Sequence, residues 1–345
     1  MSPLRHHHGL LLRSYHRYKH RLWCGKRDYL HGILGDRLYY RLRCWLDILP
    51  VLGRYPDKGV FYPCLKSVVL VFNGDVLSVG LADRLRAICS VYYWCKKNQI
   101  TFKVHFTHPF KLSDYLLPNQ YDWETGSDEL DCRRAFPKAM LSYSIIKSEP
   151  SLHRASLDAF LTGGHETIHL YSNTRCHDDF FHACFHELFR PSKRLEEELD
   201  GFLKQVGQPY ISVSFRFAQL LGDLKDTFGR ALPAEERFVL IDRCKRCIKK
   251  VVEGNAVKVA LVTSDSQTFL NQLSDLPCVY IVPGSVGHIR NRVTEEQVRK
   301  TFWDLFMISH ARKAYIIRTA QMYRSDFSRR GALIGHIPFE EIILD

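Results

Sequence analysis

From Ser67 onward the chain alternates short apolar runs with helical stretches. The runs Ser67–Gly74, Ile100–Phe106, Thr167–Asn173, Pro209–Phe217, Val257–Asp265, Cys278–Pro283 and Lys313–Thr319 read as strands. Several are apolar almost throughout, as strands covered on both faces must be. Helical spacing recurs between them. Leu81, Leu85, Ile88 and Tyr92 share one face, and Leu240, Cys244, Cys247, Ile248 and Val251 another. Such alternation predicts an α/β protein with largely parallel sheets. The stretch Phe189–Gln208 breaks it, with Arg190-Pro191-Ser192 followed by the charged run Arg194–Asp200. It reads as a linker into a solvated helix, so a lobe boundary is expected there. The expected division is an N-terminal extension at 1–66, a first lobe at 67–200 and a second at 201–345.

Charge changes the picture at the N-terminus. The chain carries a net +12, and residues 1–60 hold 12 basic and 4 acidic side chains, a net of +8. The rest of the chain is close to balanced, which argues against a nucleic-acid-binding body despite the high isoelectric point. The extension also contains Tyr15, Tyr18, Trp23, Tyr29, Tyr39, Tyr40 and Trp45. That composition suits either a packed extension or a segment resting on anionic lipid. His6 to His8 is too short a run to mark a metal site. No run of 18 apolar residues and no secretory leader is visible, so a cytoplasmic location is expected, with residues 1–60 able to lie on the inner face of a membrane. Eleven cysteines at irregular spacing fit reduced core thiols better than a disulfide framework.

Three metal-like motifs have a plainer reading. His165-Glu166-Thr167-Ile168-His169 has zinc-protease spacing, but Gly163-Gly164 precedes it and Thr167–Asn173 reads as a strand, which puts Glu166 and His169 on opposite faces. His182 and His186, at i and i+4, have no third ligand signposted and read as packed or hydrogen-bonded. Cys244-Lys245-Arg246-Cys247 is a lone pair on a helix and reads as core.

Three segments can meet anions. In Phe72–Arg86 a strand enters a Gly-containing loop and then a helix, with Arg84 and Arg86 beside it. In Tyr210–Phe217, Arg216 sits at the end of an apolar strand, where it can either grip a diphosphate or close a salt bridge. The third is Thr301–Ser309, a strand at Ala314–Thr319, then Ser325-Asp326-Phe327-Ser328 opening a helix. There Asp304 can accept two N–H bonds from a guanine edge, or pair with Lys300 on a wet helix face.

In this order the segments resemble the bacterial fucosyltransferase-like glycosyltransferases related to the α1,6-fucosyltransferase and protein O-fucosyltransferase superfamily. The resemblance spans about residues 67–345 and includes Gly80–Arg86, His108–Asn119, Leu188–Ser192, the strand bearing Arg216, Val262–Asp265, Asp304–Ser309 and Ser325–Ser328. It implies a GT-B-like architecture of two Rossmann-type lobes with a central cleft, an inverting reaction, no metal and no cofactor. The donor implied is GDP-fucose, bound in the second lobe, and the acceptor a glycan entering mainly from the first. Arg216, Ser325, Phe327 and Ser328 would hold the diphosphate, Asp304 would read guanine and Asp265 would lie near the nucleoside. Many relatives carry a His where this chain has Ser214, so any nucleotide contact of that His is either replaced by a shorter hydroxyl or lost. Asp223 and Asp83 are the candidates for a general base. Alternatives are another donor such as GDP-mannose, an α1,2-linkage, and, from another class, a nucleic-acid-binding protein.

Overall fold

The computed structural model describes residues 33–34, 38–39, 42, 44–56, 64–76, 79–140, 164–174, 178–223, 230–287 and 293–344. Most of the basic extension, including Tyr15, Tyr18, Trp23, Tyr29 and Tyr40, lies outside them. The chain divides into two compact units. The first comprises residues 1–78, 86–108 and 123–177, and the second 79–85, 109–122 and 178–345.

The first unit is built on four parallel strands in the order β2-β1-β5-β4. They are β1 (Ser67–Phe72), β2 (Thr101–Phe106), β4 (Ala135–Met140) and β5 (Thr167–Ser172). Every side chain of β1 and β5 is buried, as the continuous apolar runs predicted. Helix α1 (Leu81–Lys97) connects β1 to β2 and buries Leu81, Leu85, Ile88 and Tyr92, the face expected from spacing. Residues 44–52 are also helical. Their Cys44, Ile48 and Val51 pack with Val69, Val71, Ala139 and Tyr171. This end of the extension is therefore part of the first unit's core.

The second unit holds five parallel strands in the order β11-β10-β7-β8-β9. They are β7 (Tyr210–Phe215), β8 (Val259–Ser264), β9 (Val279–Tyr280), β10 (Ala314–Arg318) and β11 (Phe339–Ile343). Counted along the chain from β7, the spatial order is third, second, first, fourth, fifth, which is the Rossmann order. A small antiparallel pair, β3 (Leu116–Pro118) with β6 (Phe189–Pro191), belongs to the same unit. Six helices of this unit are α2 (Phe181–Leu188), α3 (Lys193–Val206), α4 (Ala234–Gly254), α5 (Gln267–Asn271), α6 (Glu295–Ser309) and α7 (Phe327–Gly335). The core gathers Val213, Phe215, Val262, Phe269 and Ile317 against Leu240, Cys244 and Ile248 of α4. Burial pushes the Cys244 thiol up to about 12, so the Cys-x-x-Cys pair behaves as core.

From Asp178 onward the chain belongs to the second unit, which thus includes residues 178–200 as well as 79–85 and 109–122, whereas the sequence pattern suggested a single boundary at residue 200. The reason lies in α2 and α3. Leu195 and Leu199 of α3 are buried, so the charged run is one face of an amphipathic helix packed on α6, and α2 packs on α7. Gly207 ends α3 in the left-handed region, at φ 60°, with its N–H on the Leu203 carbonyl.

Helices α6 and α7 approach so closely that two glycines become obligatory. A Cβ at Gly335 would stand 1.9 Å from the Ser309 carbonyl oxygen, and one at Gly331 would stand 2.6 Å from Ile308 Cγ2. Backbone cannot yield as a side chain can. Gly335→Ala is therefore expected to cost about 3 kcal/mol, read as a shifted urea midpoint at unchanged slope. A loss below about 0.5 kcal/mol would show that the helices separate freely.

Candidate functional site

In a Rossmann-ordered sheet the strand order reverses between the first and fourth strands, and ligands bind outside the carboxyl ends there. In this chain the reversal falls between β7 and β10. Arg216 is the first residue after β7, and Tyr323 to Ser328 follow β10.

Register explains the centre of the site. Phe215 pairs with Ser264 in the β7–β8 ladder, so the next residues, Arg216 and Asp265, leave the sheet side by side. Arg216 Nη1 donates to Asp265 Oδ2 at 2.8 Å. The same carboxylate accepts the backbone N–H groups of Phe217 at 2.8 Å and Ala218 at 2.9 Å. Ala218 takes a left-handed φ of 53°, which turns the chain back toward Asp265. Burial raises the Asp265 pKa, while Arg216 and the two amides pull it down. On the β10 side, the Tyr323 N–H donates to the Arg216 carbonyl at 3.2 Å, and its ring centroid lies 5.9 Å from the guanidinium. Arg216, Asp265 and Tyr323 thus form one cluster on the carboxyl edge. Tyr323 had no signal in the sequence, because only the pairing of β7 with β10 brings it to Arg216.

The other predicted residues have defined partners. Ser214 Oγ and Thr263 Oγ1 lie 2.7 Å apart within the sheet, with both residues buried. Asp223 accepts from Ser266 Oγ and from the Thr268 N–H, each at 2.8 Å, and so ties the start of α5 to the loop after β7. Ser325 Oγ accepts the Phe327 N–H at 3.3 Å, and Ser328 Oγ donates to the Tyr315 carbonyl at 3.3 Å. Asp83 lies in the first turn of α1. The pair expected between Asp304 and Lys300 forms, but not on a wet face. Lys300 Nζ donates to both carboxylate oxygens at 2.9 and 3.1 Å, with Lys300 only 1% and Asp304 6% exposed.

Arg330, on α7, is another charged group that patterning missed. It is fully buried, stands 4.8 Å from the Phe181 ring centroid, and pairs with Asp178 at 2.7 Å and Asp326 at 3.1 Å. At the other end of α7, His182 Nδ1 donates to the Leu333 and Ile334 carbonyls at 3.1 and 3.0 Å, and His186 Nε2 donates to Ile334 at 2.9 Å. Those histidines cap a helix. Helix α7 is held at both ends by residues 178–186.

In the first unit the protease-like spacing is dispersed, because Thr167–Ser172 is a strand. His165 stacks on Phe136, Glu166 takes Lys66 and Arg134, and buried His169 lies between Tyr55 Oη at 2.8 Å and the Glu129 carbonyl at 2.6 Å. The loop after β1 is closed by Asp75, which accepts from Arg54 and Asn73. Arg84 and Arg86 are buried, and each donates to a carbonyl, that of Val79 and of Asn173. No cluster of three metal-ligating side chains occurs among the described residues. No helix there is long and apolar enough to cross a membrane.

No protein-family model matches the sequence, and no curated protein matches it. Solved structures do. NodZ α1,6-fucosyltransferase soaked with GDP-fucose superposes with a TM-score of 0.52 at 13% identity, covering 80% of this chain and 94% of that one. The same enzyme co-crystallised with GDP gives identical figures. Fucosyltransferase NodZ from Bradyrhizobium again gives 0.52 and 13%, over 80% of this chain and 96% of that one. With its two parallel sheets and Rossmann-ordered second unit, the chain has the fold of the fucosyltransferase NodZ.

Proposed function

We propose that the protein is an inverting, metal-independent glycosyltransferase that moves fucose from GDP-fucose to a hydroxyl of a cell-surface glycan or its lipid-linked precursor. The observation that carries this reading is the Arg216–Asp265 cluster at the strand-order reversal of a NodZ-type fold. NodZ has been crystallised with GDP and soaked with GDP-fucose, and the same ligands suit this site.

The chemistry follows from the donors. An acceptor hydroxyl oxygen bonds to the anomeric carbon as the bond from that carbon to the β-phosphate oxygen breaks, and the hydroxyl proton leaves to a base or to water. Negative charge then grows on the departing GDP. Asp265 takes Nη1 of Arg216 and fixes the planar fork at the carboxyl edge of the sheet, where its positive charge opposes the charge growing on the diphosphate. The first amides of α7, after Ser325 and Phe327, supply further donors at a helix N-terminus. Neutralisation by these groups needs no divalent ion. Ser214 contributes by bracing β7 against β8, and Asp223 by holding α5; neither contact requires proton transfer. Residues 1–60 would keep the enzyme at the inner face of a membrane, where a lipid-linked acceptor resides.

Thermal shift against nucleotides and nucleotide sugars tests the donor. GDP and GDP-fucose are expected to raise the melting temperature equally with and without EDTA, since a ligand at about 100 times its Kd adds about 2.7 kcal/mol. Stabilisation by UDP or CMP sugars alone would overturn the reading. Stabilisation by GDP with transfer from GDP-mannose but not GDP-fucose would keep the site and change the sugar.

A further inference from the structure

We propose that Leu38, Leu42 and Trp45 form a stripe by which the first unit docks on an anionic lipid surface. Residues 38, 39, 42 and 44–52 are helical, and apolar side chains among them fall into a buried and an exposed set. One set, Cys44, Ile48 and Val51, is buried and packs on the sheet. The other carries Leu38, Leu42 and Trp45 at i, i+4 and i+7, which share one helical face. Leu38 is 56%, Leu42 38% and Trp45 52% exposed, and Leu49, one turn on, is half-buried.

Charge selects the occupant. Residues 1–45 contain 10 basic and 2 acidic side chains, so the whole excess of the extension lies at or before this stripe. An apolar strip joined to a basic segment is what an interfacial helix presents to acidic headgroups, with Trp suited to the boundary layer. A second copy of this chain would bring two basic segments together and is disfavoured by the same charge. The proposal gives a residue-level basis to the membrane location in the functional reading above. It depends on that reading for nothing else, because vesicle binding needs neither donor nor acceptor.

The test is co-sedimentation of the full-length protein with vesicles of phosphatidylcholine alone or containing about one-third phosphatidylglycerol. Binding to the anionic vesicles is expected to be about tenfold tighter or more, and to weaken with salt. Leu38→Ser/Leu42→Ser/Trp45→Ser keeps every charge and should lose about tenfold in affinity or more while retaining its melting temperature, because these positions are exposed. Equal binding by this variant and the parent would overturn the stripe. Absence of vesicle binding by the parent, or a dimer by light scattering that the variant abolishes, would overturn the lipid assignment. Failure of GDP to stabilise the protein, beside intact vesicle binding, would fault the donor reading alone.

Discussion

Arg216→Ala is expected to lower fucosyl transfer by about 10²–10³-fold, the cost of removing one positioned donor from a developing anion. The same change has a structural effect that must be separated from it. Asp265 would keep its two amide donors but lose its cation, at a cost of about 1.5–3 kcal/mol for a hydrogen bond to a charged group. The double variant Arg216→Ala/Asp265→Asn removes that orphaned charge and leaves an amide oxygen to accept from the Phe217 N–H, although the Ala218 N–H loses its acceptor. Its stability should return toward the parent's while its rate stays low. Arg216→Lys should fall between, since an ammonium retains the charge without the planar fork. Recovery of the rate together with stability in the double variant would assign Arg216 to architecture and remove it from the chemistry.

The second large effect concerns Lys300. Lys300→Met preserves bulk but leaves the Asp304 carboxylate buried without its cation, so a loss of about 3–5 kcal/mol is expected near neutral pH. Burial already raises the Asp304 pKa, and Lys300 is what opposes it. Without Lys300 the folded-state value rises further above the unfolded one. A carboxyl raised in this way loses stability as pH climbs through its folded pKa and regains it as pH falls toward its ordinary value of about 4. Lys300→Met should therefore be much less stable than Lys300→Met/Asp304→Asn at about pH 8, with the two converging toward about pH 5. A gap between them that does not change with pH would mean that Asp304 binds no more protons folded than unfolded, so that its carboxyl stays ionised without Lys300.

Much of the scaffold was legible. Strands covered on both faces announce themselves, and β1, β5, β7, β8 and β10 each lie within a run read from hydrophobicity. The strands that escaped are marginal by composition. β4 contains Pro137 and is an edge strand, where the missing N–H is tolerated. β11 carries Glu340 and Glu341, is half-exposed and, among the described residues, pairs with β10 alone. β3 and β6 span three residues each, too few to show a period.

The site was legible as parts. Sequence patterning alone placed Arg216 at the end of an apolar strand and offered the Lys300–Asp304 spacing as an ion pair, while Asp265 entered through the resemblance. It also located the basic excess in the first 60 residues. These are local properties, set by periodicity and by neighbours within a turn. Tertiary structure decided the rest. Strand register made Arg216 and Asp265 partners, pairing of β7 with β10 added Tyr323, and packing on α6 turned a pair expected in water into a buried one. Periodicity tells which side of a segment is apolar, but what covers that side, and which charge meets which, depends on residues tens of positions away.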